Sequence, residues 1–224
     1  SYIDQDKCVK CGQCAKVCGY QAIIIQERPC ARACGMDAIG SDENGKVDIN
    51  YEKCVSCGQC LVNCPFGAIS DKSQIFQVIR AIQSGERVYA ALAPAFVGQF
   101  GPKVTPGKLR AAMKKLGFAA AHETAEGAYL VKKELEKLAA QPGDAPIITS
   151  GCSTIVLYVE KHLPEALPYL APVLSPMQAH AVLLRERYPG ATIVYISPCI
   201  SKKEETTRFE SVGADYDITF TELE

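Results

Sequence analysis

The sequence has 224 residues, 48% of them apolar, which is enough for one mid-sized domain and a smaller one. Lysine and arginine number 24 and aspartate and glutamate 25, a balance that excludes a globally basic surface for nucleic acid or an anionic membrane. The sequence contains no apolar run of about 18 residues and no signal-peptide pattern, so we expect a cytoplasmic protein without a membrane span.

Cysteine is concentrated near the amino end, where ten of the 12 cysteines lie. Two groups of four have the spacing C-x2-C-x2-C-x3-C, the first quartet (Cys8, Cys11, Cys14, Cys18) and the second quartet (Cys54, Cys57, Cys60, Cys64). This spacing is typical of 4Fe-4S clusters, in which three thiolates come from one loop and the fourth from the partner half. Disulfide frameworks do not repeat CxxC at fixed intervals. A zinc site needs only four ligands in all, whereas the sequence has two quartets. We therefore predict two 4Fe-4S clusters in a ferredoxin-like α+β domain over residues 1–72.

A degenerate middle unit, RPCARACGMDAI, keeps only Cys30 and Cys34 and leaves the ligand sets open. If this unit is an insertion, which is the interpretation we favour, Cys18 completes the cluster on the second quartet and Cys64 the cluster on the first. If the second and third units form the ferredoxin pair instead, Cys34 replaces Cys18. The 20-residue step from Cys34 to Cys54, with a hairpin-like sequence between them, fits that alternative.

The pattern of residues 73–224 predicts an α/β domain. Ile75, Val78, Ile79 and Ile82 have helical spacing, and strands and helices then alternate. The predicted strands are RVYAALAPAF, FAAAHE, PIITS and ATIVYIS, and the predicted helices cover 105–116, 124–140 and TIVLYVEKH. Such alternation indicates a parallel sheet with helices on its faces.

Ligands of parallel sheets bind beyond the carboxyl ends of the strands. Pro94, Cys152 and the run Ser197-Pro198-Cys199 are predicted to lie there. Cys152 also precedes a helix, whose dipole favours a thiolate. Free cysteines are often inert core residues. Two 4Fe-4S clusters form an electron relay, and a relay needs a terminal site in the remaining residues. The predicted clusters therefore favour the interpretation of Cys152 and Cys199 as ligands.

At these residues the sequence resembles the FeFe hydrogenases, whose H-cluster is bound by four cysteines in three loops. TSGCSTIV is similar to the first loop, usually Thr-Ser-Cys-Cys-Pro-x-Trp, and SPCISKKEE to the second, usually Met-Pro-Cys-x-x-Lys-x-x-Glu. The resemblance implies that Cys152 and Cys199 are cubane ligands and that Lys202 contacts the diiron subsite. It implies that residues 73–224 are the amino-terminal part of the H-cluster domain.

Several positions depart from that family. Gly151 stands where active members carry the proton-relay cysteine, Leu135 and Leu138 align with relay glutamates, and Ala171 lies near a relay serine. None of these side chains can donate or accept a proton. Ser197 replaces a methionine beside the diiron site.

The resemblance places the third loop after residue 224, so we expect an H-cluster only in the full-length protein and a fragment that is inactive on its own. The function we favour is a hydrogen-sensing or low-turnover protein that exchanges electrons with a redox partner protein or signalling domain and takes hydrogen and protons as ligands. A turnover hydrogenase and a non-catalytic iron-sulfur assembly or electron-transfer protein remain as alternatives. Whether the protein is an enzyme therefore stays open.

Overall fold

The computed structural model describes residues 3–4, 7–9, 11–23, 28–141, 145–208 and 212–224. The α-helices are α1 (Gln13–Val17), α2 (Pro29–Arg32), α3 (Gln59–Val62), α4 (Ile75–Gln83), α5 (Pro106–Lys115), α6 (Ala125–Ala139), α7 (Ser153–His162), α8 (Pro176–Arg187), α9 (Ser201–Arg208) and α10 (Phe220–Leu223). The strands are β1 (Ile39–Ser41), β2 (Val47–Ile49), β3 (Val88–Leu92), β4 (Ala120–Glu123), β5 (Thr192–Ser197) and β6 (Tyr216–Thr219). Short 3₁₀ helices cover Pro94–Phe96 and Pro164–Tyr169.

The cysteine-rich part is built around a hairpin. Strands β1 and β2 pair antiparallel with Ile39 opposite Ile49, and the turn is closed by Asp42, whose side chain accepts hydrogen bonds from Asn44 and Lys46. The hairpin predicted between Cys34 and Cys54 is therefore present. Helix α2 packs against α3 and β1, so the second and third cysteine units lie side by side.

In the second part, the described residues form a four-stranded parallel sheet in the order β4-β3-β5-β6. Strand β3 is buried along its full length, as a strand with helices on both faces should be. Helix α8 packs on β3 and β5, α5 on β4, and α4 and α9 on β6. The predicted parallel α/β sheet is confirmed. Strand order reverses between β3 and β5, and such switch points are where open α/β sheets bind ligands.

The prediction of a sheet strand at residues 146–150 is wrong. Within the described residues, Ile148 forms an isolated parallel bridge to Leu170, and β3 pairs directly with β5. Pro146 has no N–H to donate, and Ile147 is 42% exposed, so this segment lacks the buried apolar face of a central strand. Strand β6, which the sequence reading did not predict, completes the sheet instead. In the described part of the chain, no helix is long and apolar enough to cross a bilayer.

Candidate iron-sulfur and hydrogenase-like sites

Four cysteines from two units line one cavity of about 410 Å³, which we call the cluster cavity. Its thiols belong to Cys34, Cys54, Cys57 and Cys60. Cys18, the fourth ligand in the interpretation we favoured from sequence, is absent from the described lining, whereas Cys34 is present. The geometry therefore agrees with pairing of the second and third units.

The backbone around the hairpin brings Cys34 and Cys54 together. The amide of Asn50 donates to the carbonyl of Ala38 at 2.8 Å, and the amide of Cys54 donates to the carbonyl of Asn50 at 2.9 Å. The chain thereby returns from the Cys34 unit to the start of the second quartet. Gly58, which precedes α3, has a φ of 79°, a left-handed conformation that glycine adopts without strain.

The thiols of the cluster cavity accept backbone hydrogen bonds. Ala38 N donates to Cys34 Sγ at 3.4 Å, and Ser56 N donates to Cys54 Sγ at 3.4 Å. Such donors stabilise negative charge on sulfur and tune the potentials of bound clusters. Burial raises the pKa of Cys60, and the neighbouring Cys54 and Cys57 raise it further. Like-charged thiolates in one cavity repel unless a cationic iron core lies among them.

This donor set fits a cubane cluster. Among the described residues, no three His, Cys, Asp or Glu side chains converge closely enough to hold one metal ion. A cubane has a different requirement, because each thiolate binds its own iron and the four sulfurs surround a volume. The four cysteines that line the cluster cavity are the number and type of ligands that a cubane needs.

Cys30 and Cys64 line a second cavity of about 220 Å³. Cys30 is buried, and Cys64 Sγ accepts the amide of Ala68 at 3.3 Å. Amides of Phe66 and Ala68 hold the pKa of Cys64 below its usual value. The rest of the described lining is Arg28, Pro29, Val47, Pro65, Phe66, Ala68 and Ile69, so this cavity is lined by two cysteines, fewer than the four that a cubane needs.

The first quartet lies around α1, with Cys14 inside the helix and the other three cysteines on either side of it. Cys8 and Cys18 are half-buried, and Cys11 and Cys14 are exposed. Backbone amides of Ala22 and Tyr20 lower the pKa of Cys18, as the equivalent amides do at Cys64. The repeated tail of the two quartets thus has the same local geometry. Cys18 is not among the residues that line either cavity.

The two cysteines of the second part stand on loops that are joined to each other. Cys152 is the N-cap residue of α7, and Cys199 follows β5. Thr154 Oγ1 donates to Ser201 Oγ at 3.0 Å, and Lys202 Nζ donates to the carbonyl of Gly151 at 3.2 Å. Both thiols are exposed. Cys152 and Cys199 therefore lie at the same end of the sheet.

Ser197 and Pro94 occupy this same edge. Ser197 is buried at the end of β5, and its hydroxyl accepts the amide of Cys199 at 3.2 Å. Pro94 is exposed directly after β3, whose Leu92 lies opposite Ile196. Ser197 thus shapes the Cys199 loop, while Pro94 stands on the neighbouring strand end.

Lys202 is buried and ion-paired. Its ammonium group donates to the carboxylate of Glu205, which in turn accepts the hydroxyl of Ser175. A buried ammonium without such a partner would be strongly destabilising. The pair aims the Lys202 ammonium at the Gly151 carbonyl, beside Cys152.

The predicted relay positions hold no titratable side chain. A Cβ added at Gly151 would meet only Pro176 Cδ, at 3.8 Å, so the site has room for a side chain. Ala171 lines a cavity of about 160 Å³ together with Ser150, Ser153 and Ser175. Leu135 and Leu138 are half-buried on α6.

The cysteine-rich part contacts the second part at two places, the end of α7 and the segment that follows Cys199. Lys161, at the end of the helix that starts beside Cys152, donates to the carbonyls of Cys54 and Tyr51 at 2.7 and 2.8 Å. Ile200, which follows Cys199, lines the cavity and packs on Gly58 so closely that an added Cβ would approach its Cδ1 to 2.8 Å. Sequence reasoning missed these contacts, and no motif in the sequence marks Lys161 or Ile200.

Comparison with known proteins follows the same division of the chain. A model described as "Iron only hydrogenase large subunit, C-terminal domain" matches residues 86–224, and a 4Fe-4S dicluster domain model matches residues 7–68. A solved FeFe-hydrogenase structure, from work on oxygen inactivation through the 2Fe subcluster of the H cluster, aligns with a TM-score of 0.58 and 25% identity. That alignment covers 68% of this chain and 47% of the other.

Curated relatives include hydrogenases and an assembly factor. The chain is 34% identical over 154 residues to the periplasmic Fe hydrogenase large subunit of Nitratidesulfovibrio vulgaris, covering 60% of this chain and 36% of that protein. It is 29% identical over 259 residues to the NADP-reducing hydrogenase subunit HndD of Solidesulfovibrio fructosivorans, covering 99% and 42%. It is 39% identical over 67 residues to the cytosolic Fe-S cluster assembly factor NAR1 of Kluyveromyces lactis, covering 30% and 14%. The chain thus spans less than half the length of each relative.

Proposed function

This chain belongs to the iron-only hydrogenase large-subunit family, and on that basis we propose that the full-length protein is a hydrogen-sensing or low-turnover member. In this proposal, hydrogen and protons are its small-molecule ligands. Electrons pass between the second-part site and 4Fe-4S clusters, and then to a redox partner protein or signalling domain. We assign residues 1–72 to a ferredoxin-like cluster domain and residues 73–224 to the H-cluster domain.

One cubane is assigned to Cys34, Cys54, Cys57 and Cys60. This choice rests on their shared cavity and on the N–H···S hydrogen bonds to Cys34 and Cys54. The other cubane is assigned to Cys8, Cys11 and Cys14. Its fourth ligand is Cys18 or Cys64, a choice that single alanine substitutions decide through the iron content of the purified chain.

The joined loops of Cys152 and Cys199 carry the hydrogenase part of the proposal. An exposed thiol on each loop, with the Lys202 ammonium held between the loops by Glu205, is a donor set suited to an iron cofactor and its anionic ligands. When bound in the full-length protein, the H-cluster supplies the binding and activation of hydrogen. The residues of this chain contribute two thiolates and a directed positive charge.

Low turnover is proposed because the relay positions Gly151, Leu135, Leu138 and Ala171 carry no group that can donate or accept a proton. Proton delivery needs groups that accept and donate within hydrogen-bond reach, and such groups typically contribute about 10²–10⁴-fold to rate. Binding of hydrogen at the metal does not need the same throughput. Loss of the relay with retention of Cys152, Cys199 and Lys202 therefore suits a sensor.

Hydrogen turnover by full-length Gly151→Cys tests this proposal. The new side chain fits the space beside Pro176 and returns the proton donor next to Cys152. We expect turnover to rise by about tenfold, at the low end of the range, because Leu135, Leu138 and Ala171 still interrupt the rest of the relay. Gly107→Cys adds a thiol with open space around it on α5 and should leave turnover unchanged. A wild-type protein that already turns over rapidly and does not respond to Gly151→Cys would be a conventional hydrogenase.

The similarity to NAR1 favours a second candidate, a non-catalytic iron-sulfur assembly protein. In that case Cys152 and Cys199 would help to hold a plain cubane. The full-length protein would then show cubane signals and no infrared bands from carbon monoxide or cyanide.

A further inference from the structure

Two neighbouring lysines at the start of α9 point to different parts of the molecule. Lys202 Nζ reaches the Gly151 carbonyl and Glu205, on the side of Cys152. Lys203 Nζ reaches Asp71 Oδ2 at 2.5 Å and Glu222 Oε2 at 2.7 Å. The family resemblance gives a role to Lys202 and none to Lys203.

Lys203 is a buried cation. Its side chain is 10% exposed, and those of Asp71 and Glu222 are 27% and 15% exposed. Burial lowers the pKa of Lys203, but the hydrogen bonds and charges of Asp71 and Glu222 together outweigh burial and raise it. The ammonium group is therefore charged at neutral pH and poorly screened by solvent.

This cation forms part of the wall of the cluster cavity. Lys203, Asp71 and Ile200 line it together with Cys34, Cys54, Cys57 and Cys60. Lys203 is four residues after Cys199, and Ile200 packs on Gly58 between Cys57 and Cys60. One segment, residues 199–203, thus carries a ligand of the second-part site and a charge beside the first-part cavity.

Cluster potentials depend on net charge, hydrogen bonding and solvent exposure around the sulfurs. Reduction adds one electron to the cluster, so a nearby buried positive charge stabilises the reduced form and a nearby negative charge destabilises it. Of the charged residues that line the cluster cavity, Lys72 and Glu204 are exposed and screened by solvent, whereas Lys203 is a buried cation and Asp71 a half-buried anion.

We propose that Lys203 is a positioning residue for electron transfer, whose ammonium group raises the reduction potential of the cubane in the cluster cavity and favours electron residence next to the Cys199 loop. This inference rests on the proposed function, because it needs a cubane on Cys34, Cys54, Cys57 and Cys60. The lysine takes no part in bond making or breaking.

Redox titration of the iron-loaded chain, followed by electron paramagnetic resonance, tests the inference. The relevant signal is the one that disappears in Cys57→Ala. In Lys203→Met we expect the equilibrium for reducing this cluster to weaken about tenfold, which for one electron corresponds to about 59 mV toward more negative potential. Lys203→Arg keeps a cation at this position and should keep the wild-type reduction potential. Lys132→Met removes an exposed lysine of α6 and should leave it unchanged.

Asp71→Asn is the second variant and reverses the sign. It removes a carboxylate and keeps the cation, so the same cluster should become easier to reduce. If the Lys203–Asp71 pair has a purely structural role, the reduction potential should shift in the same direction in both variants or shift in neither. Either result overturns the inference. If Lys203→Met fails to retain the cluster, Asp71→Asn alone decides: a positive shift supports the inference and an unchanged or negative potential overturns it.

An error in the assignment of the cubane would give a different result from an error in the role of Lys203. If Cys57→Ala or Cys34→Ala removes no cluster signal, the cluster cavity holds no cubane and the proposed function loses its relay. If those variants remove the signal while the charge variants leave its potential unchanged, only the role of Lys203 is wrong.

Discussion

At the scale of single residues, Cys34 is the thiol on which the cluster assignment depends. Sequence spacing allowed either Cys18 or Cys34 to join Cys54, Cys57 and Cys60, because the repeated units have the same cysteine tail. The fold separates the two, since the β1–β2 hairpin returns the chain from Cys34 to Cys54. Local spacing contains no information about which unit pairs with which.

Alanine substitution of the two candidates gives a direct comparison. Cys34→Ala removes a thiol from the cluster cavity and should abolish the cubane signal that Cys57→Ala also abolishes. Cys18→Ala should preserve that signal, because Cys18 is not in the described lining. The measurement is the iron and acid-labile sulfide content of the purified chain, with electron paramagnetic resonance of the reduced protein. Loss of that signal in Cys18→Ala but not in Cys34→Ala would restore the insertion interpretation.

The lysines show a second limit of sequence reasoning at this scale. Lys202 and Lys203 lie in one run of charged residues, which is also typical of the exposed first turn of a helix. Their opposite directions depend on where α9 lies between the Gly151 loop and Asp71. Only the tertiary fold distinguishes them.

At the scale of elements, α6 and α8 pack unusually closely. A Cβ at Gly127 of α6 would approach the Pro176 carbonyl to 2.3 Å and His180 to 2.7 Å, so glycine is required for this contact. His180 is fully buried there, and its Nδ1 lies 3.2 Å from Thr124 Oγ1. The close approach of the two helices thus places His180 at a helix–helix contact without solvent.

This burial gives the second part a pH-dependent stability. Desolvation lowers the pKa of His180 to about 4; Glu126 opposes this shift, while His122 and Arg187 add to it. Because the folded pKa is below the unfolded value of about 6.5, the unfolded state binds more protons in this window, and stability falls as pH falls from about 6.5 toward 4. The loss from this residue by pH 5 should be about 2 kcal/mol.

Chemical denaturation of the chain at pH 7.5 and pH 5 measures this effect. His180→Asn should reduce the difference between the two pH values, since the replacement does not titrate. His162→Asn, at a half-buried histidine beside the Lys53 carbonyl, serves as the comparison. An unchanged pH difference in His180→Asn would show that another group is responsible.

Secondary-structure prediction succeeded where apolar periodicity and end signals agreed. Helix α5 begins at Pro106 after a Thr105 cap, and strands β3, β4 and β5 fall on the predicted apolar runs. The segment 146–150 also has β-branched residues, but it pairs with the chain after a 3₁₀ helix and not with the sheet. Side-chain type alone does not determine which edge a short extended segment joins.

At the scale of the whole molecule, residues 199–203 connect the two candidate iron sites. Helix α7 begins next to Cys152 and ends with Lys161 on the Cys54 carbonyl, and residues 199–203 run from Cys199 to the wall of the cluster cavity. The Cys199 loop is therefore the part of the second site that lies next to the cluster cavity, whereas Cys152 is separated from Lys161 by the length of α7. This arrangement is the physical basis for treating the chain as a relay with a terminal site.

The candidate site was predictable from the sequence only in part. Cys152, Cys199 and Lys202 were found because a family resemblance marks them, and the structure joins their loops by hydrogen bonds. Lys161, Ile200, Asp71 and Glu222 were not found, because their roles arise from contacts between distant parts of the chain. Such contacts leave no local pattern.

The infrared spectrum of the full-length protein after maturation tests the central claim most directly. An H-cluster anchored through Cys152 and Cys199 should give bands from metal-bound carbon monoxide and cyanide, and these bands should shift when hydrogen replaces argon. Cys199→Ala should remove them while the cubane of the cluster cavity remains. A matured wild-type protein that shows cubane signals and no such bands would contradict the claim that this chain carries part of a hydrogen-binding site.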